Sequence, residues 1–192
     1  VIAKLGLMLV AVTKNIGLKT LISMIGVKKI DSTFVSFGIS PRINACGRMG
    51  HQEDALNLFL TNDPIEARNL AIKLEEYNRQ RQEIEKNIYN EALELISKEK
   101  DEPCIVIGKE GWHHGVIGIV SSKVTDITYK PSILVCFEGE NSKGSGRSIQ
   151  GFDLHEAVYN CKDYLTACGG HSMAIGLSLK TKDFEPFKKA II

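Results

Sequence analysis

The sequence predicts an α/β protein whose first third is helical, whose middle is one long uninterrupted helix, and whose last half interleaves strands with helices. Three observations carry this. Apolar residues recur at three- and four-residue spacing in "AKLGLMLVAVTKN" and "LKTLISMIG", the period of one helix face. No glycine or proline interrupts the chain between Pro64 and Pro103. Beyond Pro103, short apolar runs alternate with helical patterns, the signature of an α/β domain.

Residues 3 to 60 are expected to be mostly helical, the first two helices being closed by Gly17 and Gly26. An irregular loop, "GISPRINACGRMG", then leads to the next helix. "NDPIEA" is a helix start: Asp63 caps, Pro64 suits the first turn, and Glu66 completes a capping box with Asp63. The stretch that follows, roughly 36 residues at ~1.5 Å each, makes a rod of about 54 Å. Its apolar positions run Leu70, Leu74, Tyr77, then Ile84, Ile88, Ala92 and Leu95, and the stripe breaks at "NRQRQ". A helix polar on every face bridges domains through solvent; half of an antiparallel helical hairpin is the alternative.

In the last half, "CIVIG" reads as a strand, "GVIGIVSSKV" as a helix, "SILVCF" and "KGSGRSI" as strands, and "DLHEAVYNCKDYLTAC" as a helix capped by Asp153. "AIGLSL" is a fourth strand and "FEPFKKAII" a final helix.

Composition sets limits on partners. The 192 residues are 43% apolar and 24% charged, an ordinary globular balance that suits one large or two modest domains. A net charge of +1 gives no global field to draw nucleic acid or an anionic membrane, so an anion site must be built locally. The five cysteines, Cys46, Cys104, Cys136, Cys161 and Cys168, form no CxxC, and no leader or long apolar run is seen, which reads as reduced thiols in a cytoplasm. The abrupt start, "VIAKLGLMLV", reads as a fragment.

Four stretches carry candidate chemistry. In "KGSGRSIQG", extended backbone puts Lys143, Ser145 and Arg147 on one face and Gly144, Gly146 and Ser148 on the other. An ammonium, a hydroxyl and a guanidinium fork in one row, with bare backbone beside them, suit a phosphate; a polar edge strand with glycine bulges is the alternative. In "CGGHSMAIG", Gly169 and Gly170 close a helix and His171 opens a strand, so a ligand approaches there, or the segment is a wide turn with an exposed His. "EGWHHGVIG" joins a strand to a helix, where free N–H groups and His113 or His114 would meet an anion, unless Gly118 serves close packing alone. Adjacent histidines without a carboxylate or Cys at ligand spacing do not make a metal site. In "SPRINACGRMG", Arg42, Asn44 and Arg48 would serve phosphates and a sugar or base edge, or are solvated loop charges. Arg79 and Arg81 on the rod are a solvated face or reach a nucleic-acid strand.

"PRINACGRM", a long helix with "YNRQRQEIE", "GWHHGVIGIVSSKV", "KGSGRSIQGFDL" and "GGHSMAIGLSL" follow one another in an order that resembles the RecJ family, single-strand-specific 5′ to 3′ DNA exonucleases of the DHH phosphoesterase superfamily. The resemblance runs nearly the whole chain. It implies that residues 1–62 are the helical C-terminal remnant of a DHH catalytic domain, 63–101 an interdomain helix, and 102–192 a DHHA1 substrate-binding domain with a mixed sheet. It further implies a monomeric cytoplasmic enzyme of DNA repair and recombination, with Mn²⁺ or Mg²⁺ in the whole protein and single-stranded DNA with a 5′ phosphate as partner, and no membrane. Ser145, Arg147, Ser148, Gly169, Gly170 and His171 would grip the phosphate near the 5′ end, and Arg42, Asn44 and Arg48 would line the strand's path. No Asp-His-His triplet occurs, so this chain is expected to hold no metal or catalytic residues and to be inactive alone. A DHH/DHHA1 phosphodiesterase for short RNA or cyclic dinucleotides, and a non-catalytic nucleic-acid-binding module, are the competing readings.

Overall fold

In a computed structural model, the described residues are 2–26, 29–98 and 102–192. The chain divides into two compact units, one up to Gln82 and one from Glu83 onward. The division falls inside the long helix, whose expected end at residue 101 lies outside the described residues.

The first unit is helical. Helix α1 (Ile2–Ala11) buries none of its residues. Helix α2 (Ile16–Ile25) is capped by Asn15, whose side chain accepts from the Leu18 N–H, and ends at Gly26 with φ 69°. Gly17, expected to close the first helix, sits inside α2. A Cβ there would stand 1.7 Å from the Leu58 carbonyl oxygen, so glycine is what lets α2 rest on α5 (Gln52–Leu60).

The expected loop at 38–50 is mostly helix. A short α3 (Ser32–Phe34), capped by Asp31, passes through a π-helical turn (Val35–Ile39) into α4 (Ser40–Arg48). Pro41 and Gly38 read as breakers in sequence but neither breaks the backbone. Pro41 lies in the first turn of α4, where its fixed φ suits the helix, and a Cβ on Gly38 would meet the Phe34 ring at 2.9 Å. Only Gly50, with φ 82°, makes a true turn. Leu21, Phe34, Ile39, Cys46, Leu58, Leu70 and Leu74 form the core of this unit.

Helix α6 (Pro64–Lys98) is the rod that the uninterrupted stretch called for. Asp63 caps it by accepting from the Ile65 N–H at 2.9 Å. The capping box does not close, because the Glu66 carboxylate takes the Thr61 hydroxyl instead and the Asp63 N–H goes to Thr61 Oγ1 at 3.1 Å. Nor is the middle polar on every face to solvent. Asn78 and Glu85 are buried, Asn78 accepting from Arg81 Nη2 at 2.6 Å and Glu85 pairing with Lys123 at 2.7 Å.

The second unit is a five-stranded mixed sheet in the order β1-β2-β3-β5-β4. Strand β1 (Ile105–Glu110) runs parallel to β2 (Ser132–Glu138), joined by α7 (His114–Thr128). Strands β3 (Asn141–Arg147), β5 (Ala174–Lys180) and β4 (Ala167–His171) add on antiparallel. Helix α8 (Leu154–Asn160) precedes β4, and α9 (Phe184–Ile191) ends the chain.

Two corrections fall here. The helix expected over 153–168 stops at Asn160 and gives way to a 3₁₀ turn (Lys162–Tyr164). "ACGGH" is then an edge strand, not a helix cap, and all five of its residues are exposed. Two small apolar residues side by side, then two glycines and a His, carry no period-two signal, so backbone pairing with β5 is what reveals the strand.

One sheet face is dry. Val106, Ile133, Val135, Ile175, Leu177 and Leu179 pack there with Leu154, Val158, Phe184 and Phe187 of α8 and α9. On the other face, Ile105, Ile107, Leu134 and Cys136 of β1 and β2 pack with α7 and with Ile88 and Ala92 of α6. The cover by α7 reaches onto β3. Cys46, Cys104, Cys136 and Cys161 are buried and Cys168 is exposed, none of them disulfide-bonded. Among the described residues, no single helix is long and apolar enough to cross a membrane.

Candidate functional site

Beyond β2, the sheet face on which α7 lies carries the polar residues of β3, β5 and β4; α7 packs over the Ser145 and Arg147 part of β3 and leaves β5 and β4 more open. Strand register aligns them in rows: Lys143 beside Ser178 and Ala167, Ser145 beside Gly176 and Gly169, Arg147 beside Ala174 and His171. Period-two alternation places all of these on one face. Gly144 and Gly146 point to the dry side, where a Cβ on either would meet core side chains, Leu177 at 2.7 Å and Ile175 at 2.9 Å. Glycine on the back of β3 therefore serves packing, while the front of the same strand stays polar.

Helix α7 is set over β3 by small residues. Ser121 and Thr125 bond the buried Ser132 hydroxyl at 2.9 and 2.8 Å, fixing α7 on β2. A Cβ on Gly118 would stand 2.8 Å from Ser145 Oγ and 3.2 Å from Arg147 Nη2. Close packing thus explains Gly118, and the same packing brings α7 against the polar row. Arg147 lies back along its strand, Nη1 donating to Ser145 Oγ at 3.1 Å and to the Gly146 carbonyl at 2.8 Å. Ser145 Oγ donates to the Ile175 carbonyl at 3.4 Å. Guanidinium and hydroxyl are in this way held side by side.

Between the start of α7 and the open strands is a cleft of about 470 Å³, lined among others by His114, Lys143, Ser145, Gly169 and Gly176. Glu138 ties its rim: one carboxylate oxygen is 2.9 Å from His114 Nδ1 and the other 3.8 Å from Lys143 Nζ. The Cys136 thiol and then His114, both hydrogen-bonded to Glu138, hold its carboxyl below the ordinary value. His113 caps α7 by accepting the Gly115 N–H on Nδ1 at 3.1 Å. Burial, and then the charge of His114, lower its pKa. A neutral capping imidazole is a structural part of the helix start before it is an anion donor.

The remaining expected residues divide. His171 is exposed on the edge strand, and its Nδ1 accepts from the Met173 N–H at 3.2 Å, which leaves Nε2 to carry the proton. Gly170 has φ 144° and a Cβ there would come within 2.2 Å of the Ala174 carbonyl oxygen; it shapes the β4–β5 turn. Ser148 is buried, with its hydroxyl donating to the Phe152 carbonyl at 2.8 Å. Its place is in the loop after β3, away from the polar row. Gly176 and Ser178 were missed in sequence, because "AIGLSL" reads as an apolar strand whose intervening small residues carry no signal of their own.

In the first unit, Arg42, Asn44 and Arg48 all lie on α4 rather than on a loop. Asn44 and Arg48, four apart, share a helix face. Arg42 points elsewhere, its Nε paired with Glu75 and its Nη1 donating to the Gly38 carbonyl at 2.6 Å. It braces α4 against α6.

Among the described residues, no three His, Cys, Asp or Glu side chains gather in a group that could hold a metal ion.

Residues 101–192 match the DHHA1 domain family. The single-stranded-DNA-specific exonuclease RecJ of Bacillus subtilis (strain 168) is 39% identical over 187 residues, 95% of this chain and 24% of that protein. The protein of the same name from Thermus thermophilus is 33% identical over 192 residues, 99% of this chain and 28% of that one. Crystal structures of RecJ from Thermus thermophilus in complex with Mg²⁺ and with Mn²⁺ superpose with TM-scores of 0.89 and 0.88 at 33% identity, over 97% of this chain and 29% and 28% of those chains. The chain thus spans under a third of the length of these relatives. With a DHHA1 domain in the described position and RecJ proteins matching it from end to end in sequence and in fold, the chain belongs to the RecJ family.

Proposed function

We propose that this chain serves a single-stranded-DNA exonuclease of DNA repair and recombination as the part that holds the strand by its backbone and its 5′ phosphate. One observation carries the reading: Lys143, Ser145, Arg147 and His171 share one sheet face in a chain whose net charge is only +1. Such a cluster is a local anion site, not part of a general positive field. Arg147 presents paired donors that match two phosphate oxygens, Ser145 adds a hydroxyl, and His171 a ring N–H. On binding, Arg147 exchanges contacts such as those with Ser145 and the Gly146 carbonyl for phosphate oxygens. On α4, Asn44 and Arg48 offer a second contact to the strand, while Arg42 keeps that helix in place.

Hydrolysis in this reading draws on metal ligands outside the described residues. Alone, the chain is a monomer that binds DNA without cutting it. The test is an NMR titration with a short single-stranded oligonucleotide bearing either a 5′ phosphate or a 5′ hydroxyl. Shifts at Ser145, Arg147 and His171 that require the phosphate support the reading. Equal shifts with both ligands, or release of nucleotides by the purified chain on addition of Mn²⁺, would refute it.

A further inference from the structure

Arg147 ends β3 opposite Ser132, the first residue of β2. Side chains paired across an antiparallel ladder stand on the same face, so the guanidinium leaves the sheet beside the Ser132 hydroxyl, under α7. The next β2 residues on that face, Leu134 and Cys136, belong to the core. Hydroxyls interrupt the buried contact of α7 with β2 at the Arg147 level alone, where Ser121, Thr125 and Ser132 are all buried. Their oxygens form a continuous run. Ser121 Oγ lies 2.9 Å from Ser132 Oγ, Ser132 Oγ lies 2.8 Å from Thr125 Oγ1, and Thr125 Oγ1 makes a long contact of 3.5 Å to the Arg147 carbonyl oxygen. Donation from Ser121 to Ser132, from Ser132 to Thr125 and from Thr125 to the Arg147 carbonyl uses each hydroxyl proton once. Gly118, Ser121 and Thr125 are three and four apart, on one face of α7. From Gly118 to Thr125 that face runs about 10.5 Å, at ~1.5 Å per residue. Arg147 lies along it, its carbonyl at Thr125 and its Nη2 3.2 Å from where a Cβ on Gly118 would stand.

We infer that Thr125 is a positioning residue for Arg147: as the last hydroxyl of a buried run, it holds the backbone at the root of the guanidinium while Gly118 leaves room for the tip. The inference rests on the phosphate reading above and goes beyond it, from the groups that take the phosphate to what sets their aim. Apolar contacts have no direction, whereas hydrogen bonds do, so a run of hydroxyls fixes the rotation of α7 over Arg147 as a Val or Ala seam would not. A guanidinium whose root is already fixed has less freedom to lose on binding. Ser121 and Ser132 also reach each other's carbonyl oxygens, at 3.1 and 3.0 Å. Thr125→Val keeps the shape of the side chain, leaves both serines with partners, and removes the contact to the Arg147 carbonyl.

The experiment compares the wild-type chain with Thr125→Val and Thr125→Ser. It records urea unfolding, the Arg147 Nε–Hε NMR signal of the free chain, and affinity for an oligothymidylate bearing either a 5′ phosphate or a 5′ hydroxyl. In Thr125→Val the Arg147 signal should shift and affinity for the 5′-phosphorylated probe should fall about three- to tenfold, with the 5′-hydroxyl probe bound within about twofold of wild type. Thr125→Ser, which keeps the hydroxyl and gives up the methyl, should restore both signal and affinity even where it is the less stable of the two. A role in packing alone predicts the reverse order, since serine leaves the larger gap. Wild-type signal and affinity in folded Thr125→Val overturn the inference, as do equal losses in the two variants. If valine prevents folding, Thr125→Ala is set against Thr125→Ser on the same readouts. If the wild type binds both probes alike, the phosphate reading falls. An Arg147 signal moved by valine and restored by serine then still upholds the positioning, and an unmoved signal overturns it.

Discussion

Replacing Gly118 by alanine tests whether the helix that builds this site is set by contact or merely lies near it. An added Cβ would stand 2.8 Å from Ser145 Oγ and 3.2 Å from Arg147 Nη2. The arginine tip is flexible and can withdraw. The Ser145 hydroxyl sits on a one-carbon side chain already bonded to the Ile175 carbonyl and to Arg147, so it or the helix must move by several tenths of an ångström. Overpacking of this kind costs about 1–3 kcal/mol, against a gain of about 1 kcal/mol for removing a glycine from a helix interior. The net expectation is a loss of about 0–2 kcal/mol. Because the displaced groups are the proposed phosphate donors, affinity for a 5′-phosphorylated oligonucleotide should drop about tenfold, more than the stability change alone would suggest. Denaturant unfolding and calorimetric titration read the two effects separately. A variant that is stabilised by the full helix-propensity gain and binds unchanged would refute the reasoning, since α7 would then have room over β3.

Three further outcomes follow from the same geometry. Arg147→Ala removes charge-assisted hydrogen bonds worth ~1.5–3 kcal/mol and should weaken oligonucleotide binding roughly ten- to a hundredfold, with Arg147→Lys recovering only part; equal binding by Lys and Arg in a titration would remove the fork from the argument. Gly17→Ala drives a Cβ to 1.7 Å from the Leu58 carbonyl oxygen, a backbone obstacle that cannot rotate away, so urea unfolding of the first unit should show a loss of about 3 kcal/mol or more, at or beyond the usual overpacking range. Trp112→Phe deletes the indole bond to Glu91 at 2.7 Å, the largest of the influences that lower the Glu91 pKa, ahead of Lys109. A depressed carboxyl contributes stability that is present above its unfolded pKa and is lost as pH falls through the folded one. The variant should therefore lose less stability than wild type on acidification, and a parallel pH profile in chemical unfolding would show that Glu91 does not sense the indole.

Much of the architecture was legible because its signals are local. The rod from Pro64, the strands Ile105–Glu110 and Ser132–Glu138, helix α7 and the alternation of β3 all follow from side-chain periodicity within one segment. The polar row of Lys143, Ser145 and Arg147 was legible for the same reason. What failed were inferences that treated glycine and proline as punctuation. Pro41 and Gly38 stand within continuous helix, Gly17 within α2, and Gly169 within a strand. Each is read correctly only when its neighbours in space are known, since the same residue serves a turn, a close approach or an edge strand.

By itself the sequence determined the order of helices and strands, the polar face of β3 and the resemblance to RecJ proteins, because periodicity and motif order are written along the chain. Tertiary structure alone decided which residues share the site. Register brought Gly176, Gly169 and His171 alongside Ser145 and Arg147, while packing turned the Ser148 hydroxyl to the Phe152 carbonyl and assigned Arg42 to Glu75. Pairing across strands and helices depends on backbone hydrogen bonds and contacts between distant segments, and no window along the chain contains both partners.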